Sequence, residues 1–174
     1  PAPPDLKLHA IADFRVEDLF KYVNPIMLYG KHLGLRNPER SREEGQPKAV
    51  ELYKKVGALQ DEILERGLIK PKAVFRFFCA RSEGDSLSLY ASPKDASPLE
   101  TFVFPRQEGA ERLCLADFAA PAASGKIDFV ALFAVTCGAG IRELSEGYRE
   151  QGEYFKSHAL QSIAIECAEG FAEL

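Results

Sequence analysis

A chain of 174 residues with 46% apolar and 28% charged side chains has the balance of a soluble globular protein, long enough to bury roughly 70% of the surface its unfolded form exposes. Its 22 Lys and Arg stand against 26 Asp and Glu, a formal charge of −4. That argues against general nucleic-acid binding, which needs a basic patch to displace counterions. No apolar run approaches the roughly 20 residues that cross a bilayer, and no signal peptide opens the chain. The four cysteines, Cys79, Cys114, Cys137 and Cys167, are at least 23 residues apart. Such isolated thiols fit a reducing, cytoplasmic compartment better than a disulfide framework.

In chain order, Pro1-Ala-Pro-Pro4 is a stiff, extended opening that reads as the tail of an interdomain linker, with residues 1–14 as lead-in. Asp13 stands at an N-cap position before Arg15–Val23, a short amphipathic helix stopped by Asn24-Pro25. Arg36–Pro47 reads as a solvated loop of mixed charge. From Lys48 to Arg66 the spacing of Leu52, Val56, Leu59 and Ile63 predicts a helix, joined by Tyr53 and stopped by Gly67. Ala73–Cys79 and Ser86–Tyr90 have strand character on either side of the turn Ser82–Asp85 and form an expected hairpin. Thr101–Phe104 and Arg112–Leu115 read as two further short strands, and Pro121–Lys126 as a loop. Asp128–Thr136, the most continuously apolar run, is expected at the sheet centre. Helical spacing returns from Ile141 to Tyr148 and from Glu153 to Glu173, separated by Gly152. Helices, then strands, then helices predict an α+β fold: a curved, mainly antiparallel sheet flanked by helices, in a single domain. The last helix has no cap before Leu174, so the chain is expected to be cut at both ends.

The polar constellations each carry two readings. Cys137-Gly-Ala-Gly140 joins a strand to a helix and is either a tight connection or an anion cradle, although Glu143 stands where a dinucleotide fingerprint needs glycine. Cys137 is either a small buried thiol or a nucleophile lowered by the helix N-terminus. His9, His32 and His158 lack metal-ligand spacing, so no metal is expected; His32 reads as a surface-loop histidine or the polar wall of a pocket. Asp117 in Leu115-Ala-Asp-Phe118 reads as a turn cap or a carboxylate awaiting a partner. Glu166, Glu169 and Glu173 form an acidic stripe on the last helix, solvated or turned to a cavity that holds an ammonium or sulfonium group.

Taken in order, several segments resemble one family. They are Tyr22-Val-Asn-Pro-Ile-Met-Leu-Tyr-Gly-Lys31, Phe78-Cys-Ala-Arg-Ser-Glu-Gly-Asp85, Cys114-Leu-Ala-Asp-Phe118, Ser124-Gly-Lys-Ile-Asp128, Phe133-Ala-Val-Thr136 and Ala168-Glu-Gly-Phe-Ala-Glu173. From about residue 15 to the end the chain is similar to the activation domain of cobalamin-dependent methionine synthase. The resemblance implies the curved antiparallel sheet already inferred. It also implies S-adenosylmethionine as ligand and a role as one domain of a methyltransferase, not catalytic on its own. In that family the cobalamin at intervals oxidises to an inactive form, and the activation domain then presents a methyl group to it. The cobalamin is held by a neighbouring domain of the same enzyme, and a flavodoxin-type partner supplies an electron. No nucleic acid or membrane is implied.

Two ligand contacts carry over by position. Glu169 matches the family's carboxylate in the Ala-Glu-x-Phe-Ala-Glu helix and would accept hydrogen bonds from ribose hydroxyls or an amino group. Asn24 matches an aspartate after the first helix and keeps an acceptor without the charge. The family's Arg-Pro-x-x-Gly-Tyr-Pro segment does not occur, so residues 15–174 are expected to hold only part of the ligand site. Nor is there an Asp-x-His-x-x-Gly run for a lower cobalt ligand, or a Gly-Gly-Cys-Cys cluster for zinc. The rival readings are a ligand-free docking domain that caps a cobalamin-binding module, and a nucleotide-binding protein that uses the Gly138–Gly140 turn.

Overall fold

The computed structural model describes residues 2–174. Its contacts form two compact units, Pro1–Ala10 with Val74–Phe133 and Ile11–Ala73 with Ala134–Leu174. The strands are β1 (His9–Ile11), β2 (Lys72–Glu83), β3 (Ser86–Tyr90), β4 (Glu100–Val103) and β5 (Asp128–Thr136). The helices are α1 (Val16–Leu19), α2 (Pro38–Glu43), α3 (Pro47–Arg66), α4 (Ile141–Glu150) and α5 (Tyr154–Glu173), with a π-helical turn at Ile26–His32. The result is a curled antiparallel sheet with helices, the α+β class expected.

The sheet runs β1-β2-β3-β4, with β5 also on β2. The expected hairpin forms through Gly84-Asp85, with Gly84 at φ 56° and an antiparallel register from Glu83↔Ser86 to Cys79↔Tyr90. Strand alternation in β3 turns Leu87 and Leu89 into a small core with Ala80 and Ala119, backed by Phe78, Phe104 and Val130. On the other face Ser88 and Thr101 share a cross-strand hydroxyl bond of 2.9 Å.

The structure revises or sharpens several sequence expectations. Arg112–Leu115 is not a strand: Arg112 is left-handed at φ 47°, and its carbonyl accepts from Arg106 Nη1 at 2.7 Å. Asp117 finds a charged partner in Arg106: its two oxygens accept from that guanidinium at 2.6 and 2.8 Å, while Asp85 accepts from Arg106 Nε at 3.0 Å. That clamp ties the hairpin turn to the 3₁₀ turn Leu115–Phe118 and leaves Leu115 and Phe118 exposed. β5 is not a buried central strand. Leu132 and Phe133 are exposed, because a continuous apolar run shows what a strand could bury and not what lies on it. After the Pro-rich opening, His9–Ile11 forms β1, and Arg76 Nε donates to the Leu6 carbonyl at 3.0 Å.

The helical unit has its own core. In α3 the expected stripe is buried at Val56, Leu59 and Ile63 and half-buried at Leu52 and Tyr53, Ala49 is buried beside it, and Gly67 closes the helix at φ 58°. α1 covers only Val16–Leu19, with no side-chain cap, so the Asp13 capping expectation fails. The polar stretch after Arg36 folds into α2 behind a left-handed Asn37, buries Pro38 and Ser41, and is not simply a loop. α4 and α5 meet at Gly152, φ 79°, and are joined by the buried Ser145 and Ser157 hydroxyls at 2.8 Å.

Glu62 ties α3 to both later helices. Lys156 Nζ lies 2.6 Å from its Oε2, Tyr148 donates to its Oε1 at 2.7 Å, and Arg66 pairs with the same carboxylate. The Lys156 ammonium, with Tyr148 and Arg66, holds this carboxyl down from 4.5 to about 2 against the opposing pull of desolvation. A depressed carboxyl contributes stability that is present above its unfolded value and lost as pH falls toward the folded one. Stability is therefore expected to decline from pH 4.5 to about 2, and Glu62→Gln to flatten that decline, measured by urea unfolding across the window.

Candidate functional site

The segment from Tyr22 to His32 lies against α5. A Cβ placed on Gly170 would stand 2.8 Å from the Tyr22 Cβ, so position 170 has no room for any side chain. Asn24 follows two residues on, exposed, and stands just before the π-helical turn. Its Oδ1 accepts from the backbone N–H of Ile26 at 2.9 Å and of Met27 at 3.3 Å, and its carbonyl accepts from Leu28 N–H at 2.9 Å. The acceptor expected to meet a ligand is thus used by the backbone, and the amide N–H₂ is what Asn24 presents outward. Glu169 is exposed beside Gly170, and its carboxylate has no ion pair or hydrogen bond among the described residues. The two sequence-derived ligand residues therefore flank one contact.

Glu166 leaves the acidic stripe altogether. It is 1% exposed, and its Oε1 accepts from His32 Nε2–H at 2.8 Å. His32 is not a surface-loop histidine; it ends the π-helical turn, and its carbonyl accepts from His158 Nε2–H at 2.8 Å. Sequence reasoning missed this pair because its partners are 134 residues apart. The available signal was a lone carboxylate in the otherwise apolar run from Ile163 to Ala168, which demands a buried partner.

Among the described residues, two cavities border these elements, and neither Asn24 nor Glu169 lines either of them. The larger, about 620 Å³, is lined by Val23 and Pro25 on either side of Asn24, with Tyr29, Tyr53 and Arg42. There Tyr29 and Tyr53 stack with centroids 3.7 Å apart, Arg42 sits 4.5 Å over Tyr53, and burial pushes the Tyr29 phenol up to about 12. The smaller, about 350 Å³, lies at the glycine turn and reaches Ala168. In that turn the Gly138 N–H already donates to Thr136 Oγ1 at 3.1 Å, which removes one donor from an anion cradle. Cys137 is fully buried, and burial pushes its thiol up to about 11, the opposite of an activated nucleophile. Among the described residues no group of three or more His, Cys, Asp or Glu is placed to hold a metal ion, and no helix is long and apolar enough to cross a membrane.

The family model described as vitamin B12 dependent methionine synthase, activation domain, matches residues 16–174. The chain belongs to this family. Among solved structures, it is similar to a crystal structure of the MetH reactivation domain bound to AdoHcy, with 25% identity and a TM-score of 0.86. That likeness covers 98% of this chain and 54% of the other, so this activation-domain chain spans about half the length of the solved one.

Within the activation domain, Gly170→Ala tests the close approach directly. Alanine gains roughly 0.5–1 kcal/mol of helix propensity over glycine, whereas overpacking costs about 1–3 kcal/mol. A 2.8 Å contact between two Cβ atoms favours the second effect. Chemical denaturation is expected to show a net loss of about 1 kcal/mol or more.

Proposed function

We propose that this activation domain binds S-adenosylmethionine and holds its methyl group toward a cobalamin carried by a neighbouring domain of a methionine synthase. The observation that carries the reading is the family match over residues 16–174, joined to a fold shared with a reactivation domain bound to AdoHcy, which is the same ligand without its methyl group. Cytoplasmic placement, a role within a methyltransferase and a flavodoxin-type electron donor follow from the same reading.

The chemistry of the two flanking residues fits such a ligand. Glu169 offers an exposed, unpaired carboxylate, suited to accept from ribose hydroxyls or the ammonium group. Asn24, with its oxygen engaged by Ile26 and Met27, offers a donor, suited to a carboxylate or a ring nitrogen instead of an ammonium. No side chain of this chain is assigned as acid, base or nucleophile. Its residues bind and orient the methyl donor, so that an encounter between two molecules becomes a local event. The cobalamin supplies the nucleophile when bound in its own domain.

One observation favours a second reading, in which the chain caps a cobalamin-binding module without a ligand of its own. Leu115 and Phe118 are 64% and 78% exposed on a turn that the Arg106 clamp holds in place, as a docking surface requires. Calorimetric titration separates the two. Saturable one-site binding of S-adenosylmethionine or AdoHcy, weakened about tenfold or more by Glu169→Gln through loss of a charge-assisted hydrogen bond, supports the ligand reading. A folded sample that stays silent at millimolar ligand supports the docking reading.

A further inference from the structure

We infer that His32 and Glu166 are a positioning pair for the ligand site, fixing the distance between the Asn24 turn and the Glu169 face of α5. The inference rests on the ligand reading above.

The pair is a poor device for stability alone. Glu166 is 1% exposed in a helix whose neighbouring buried positions are Ile163, Ala164, Cys167, Gly170 and Phe171. Desolvating a carboxylate is costly, and apolar replacements of similar volume at buried ion pairs are often neutral or stabilising. What the pair supplies instead is geometry, because its hydrogen bond joins two elements at one point. Tyr22 against Gly170 joins the same two elements at a second point. On each element the ligand residue lies between the two anchors: Asn24 between Tyr22 and His32, and Glu169 between Glu166 and Gly170. The turn that spans the anchors on one side is π-helical, a rare geometry that occurs frequently at functional sites. It is held at its start by the Asn24 side chain and at its end by both bonds of His32, to Glu166 through the ring and from His158 through the carbonyl. His32 and Glu166 therefore act through Asn24 and Glu169 and need not touch the ligand themselves.

The test is the dissociation constant of AdoHcy, measured by calorimetry well below the unfolding midpoint. His32→Ala alone would leave a buried carboxylate unpaired and risks the fold. The double variant His32→Ala/Glu166→Leu removes the pair without a stranded charge. It is expected to unfold cooperatively and to bind AdoHcy about tenfold or more weaker than wild type, a loss of one decade in affinity. His32→Gln, which keeps an N–H donor at similar reach, is expected to restore binding to within about threefold. Tyr148→Phe, which loosens the remote Glu62 cluster, is the control for lost stability and is expected to leave the dissociation constant unchanged. An unchanged constant in the double variant, or an equal rise in Tyr148→Phe, overturns the positioning role while the ligand reading stands. Failure of wild type to bind AdoHcy overturns both.

Discussion

The missing side chain at Gly170 sets how close the chain between Tyr22 and His32 can come to α5. Without that approach the π-helical turn would stand off by about a side-chain layer, and His32 could not reach a carboxylate as deep as Glu166. Small residues recur along the same helix at Ser157, Ala159, Ser162 and Ala164, all buried. α5 is thus surrounded on several sides, by α4, α1, α3 and the turn. It combines small surfaces that admit neighbours with a few large anchors, Leu160, Ile163 and Phe171. A helix used this way cannot show a clean amphipathic stripe, since most of its circumference is interior.

Three carboxylates in this chain meet basic side chains in three different surroundings, and the differences decide what each is for. Glu62 is one-fifth exposed and collects Lys156, Tyr148 and Arg66, so its charge is strongly favoured and it contributes to stability. Asp117 is nearly half exposed, and its pair with Arg106 is chiefly geometric, a planar fork that holds a turn. Glu166 is fully enclosed with one imidazole ring as its hydrogen-bond partner, the arrangement in which desolvation weighs most heavily. A count of ion pairs would treat them alike.

Much of the fold was legible because its signals are local. The α3 stripe with Gly67 behind it, the Gly84-Asp85 hairpin and the Gly152 break all rest on residues within a few positions of each other. The failures are those of context. Arg112–Leu115 has strand-like residues, but Arg106 takes a backbone carbonyl that a ladder would need. β5 has core-like residues with open faces. α2 was hidden in a stretch of charge because only Pro38 and Ser41 face inward. In the site, Glu169 and Asn24 were reached through the family resemblance. In the structure the Asn24 oxygen is engaged by backbone N–H groups, and His32 bonds Glu166, a pairing that no window of sequence contains.

β4 is the last strand of its side of the sheet, and all four of its residues are exposed. Such an open edge is a template on which another chain can add a strand. Its pairing extends one residue beyond each end, with Leu99 N–H donating to Leu89 and Phe104 N–H to Asp85. Directly outside those residues stand Pro98 and Pro105, neither of which has an N–H to offer. The edge is therefore confined to Leu99–Phe104, because neither proline can donate a backbone N–H to an added strand. Val103 is 72% exposed on this edge, and the flanking prolines limit how far a neighbouring strand could extend along it.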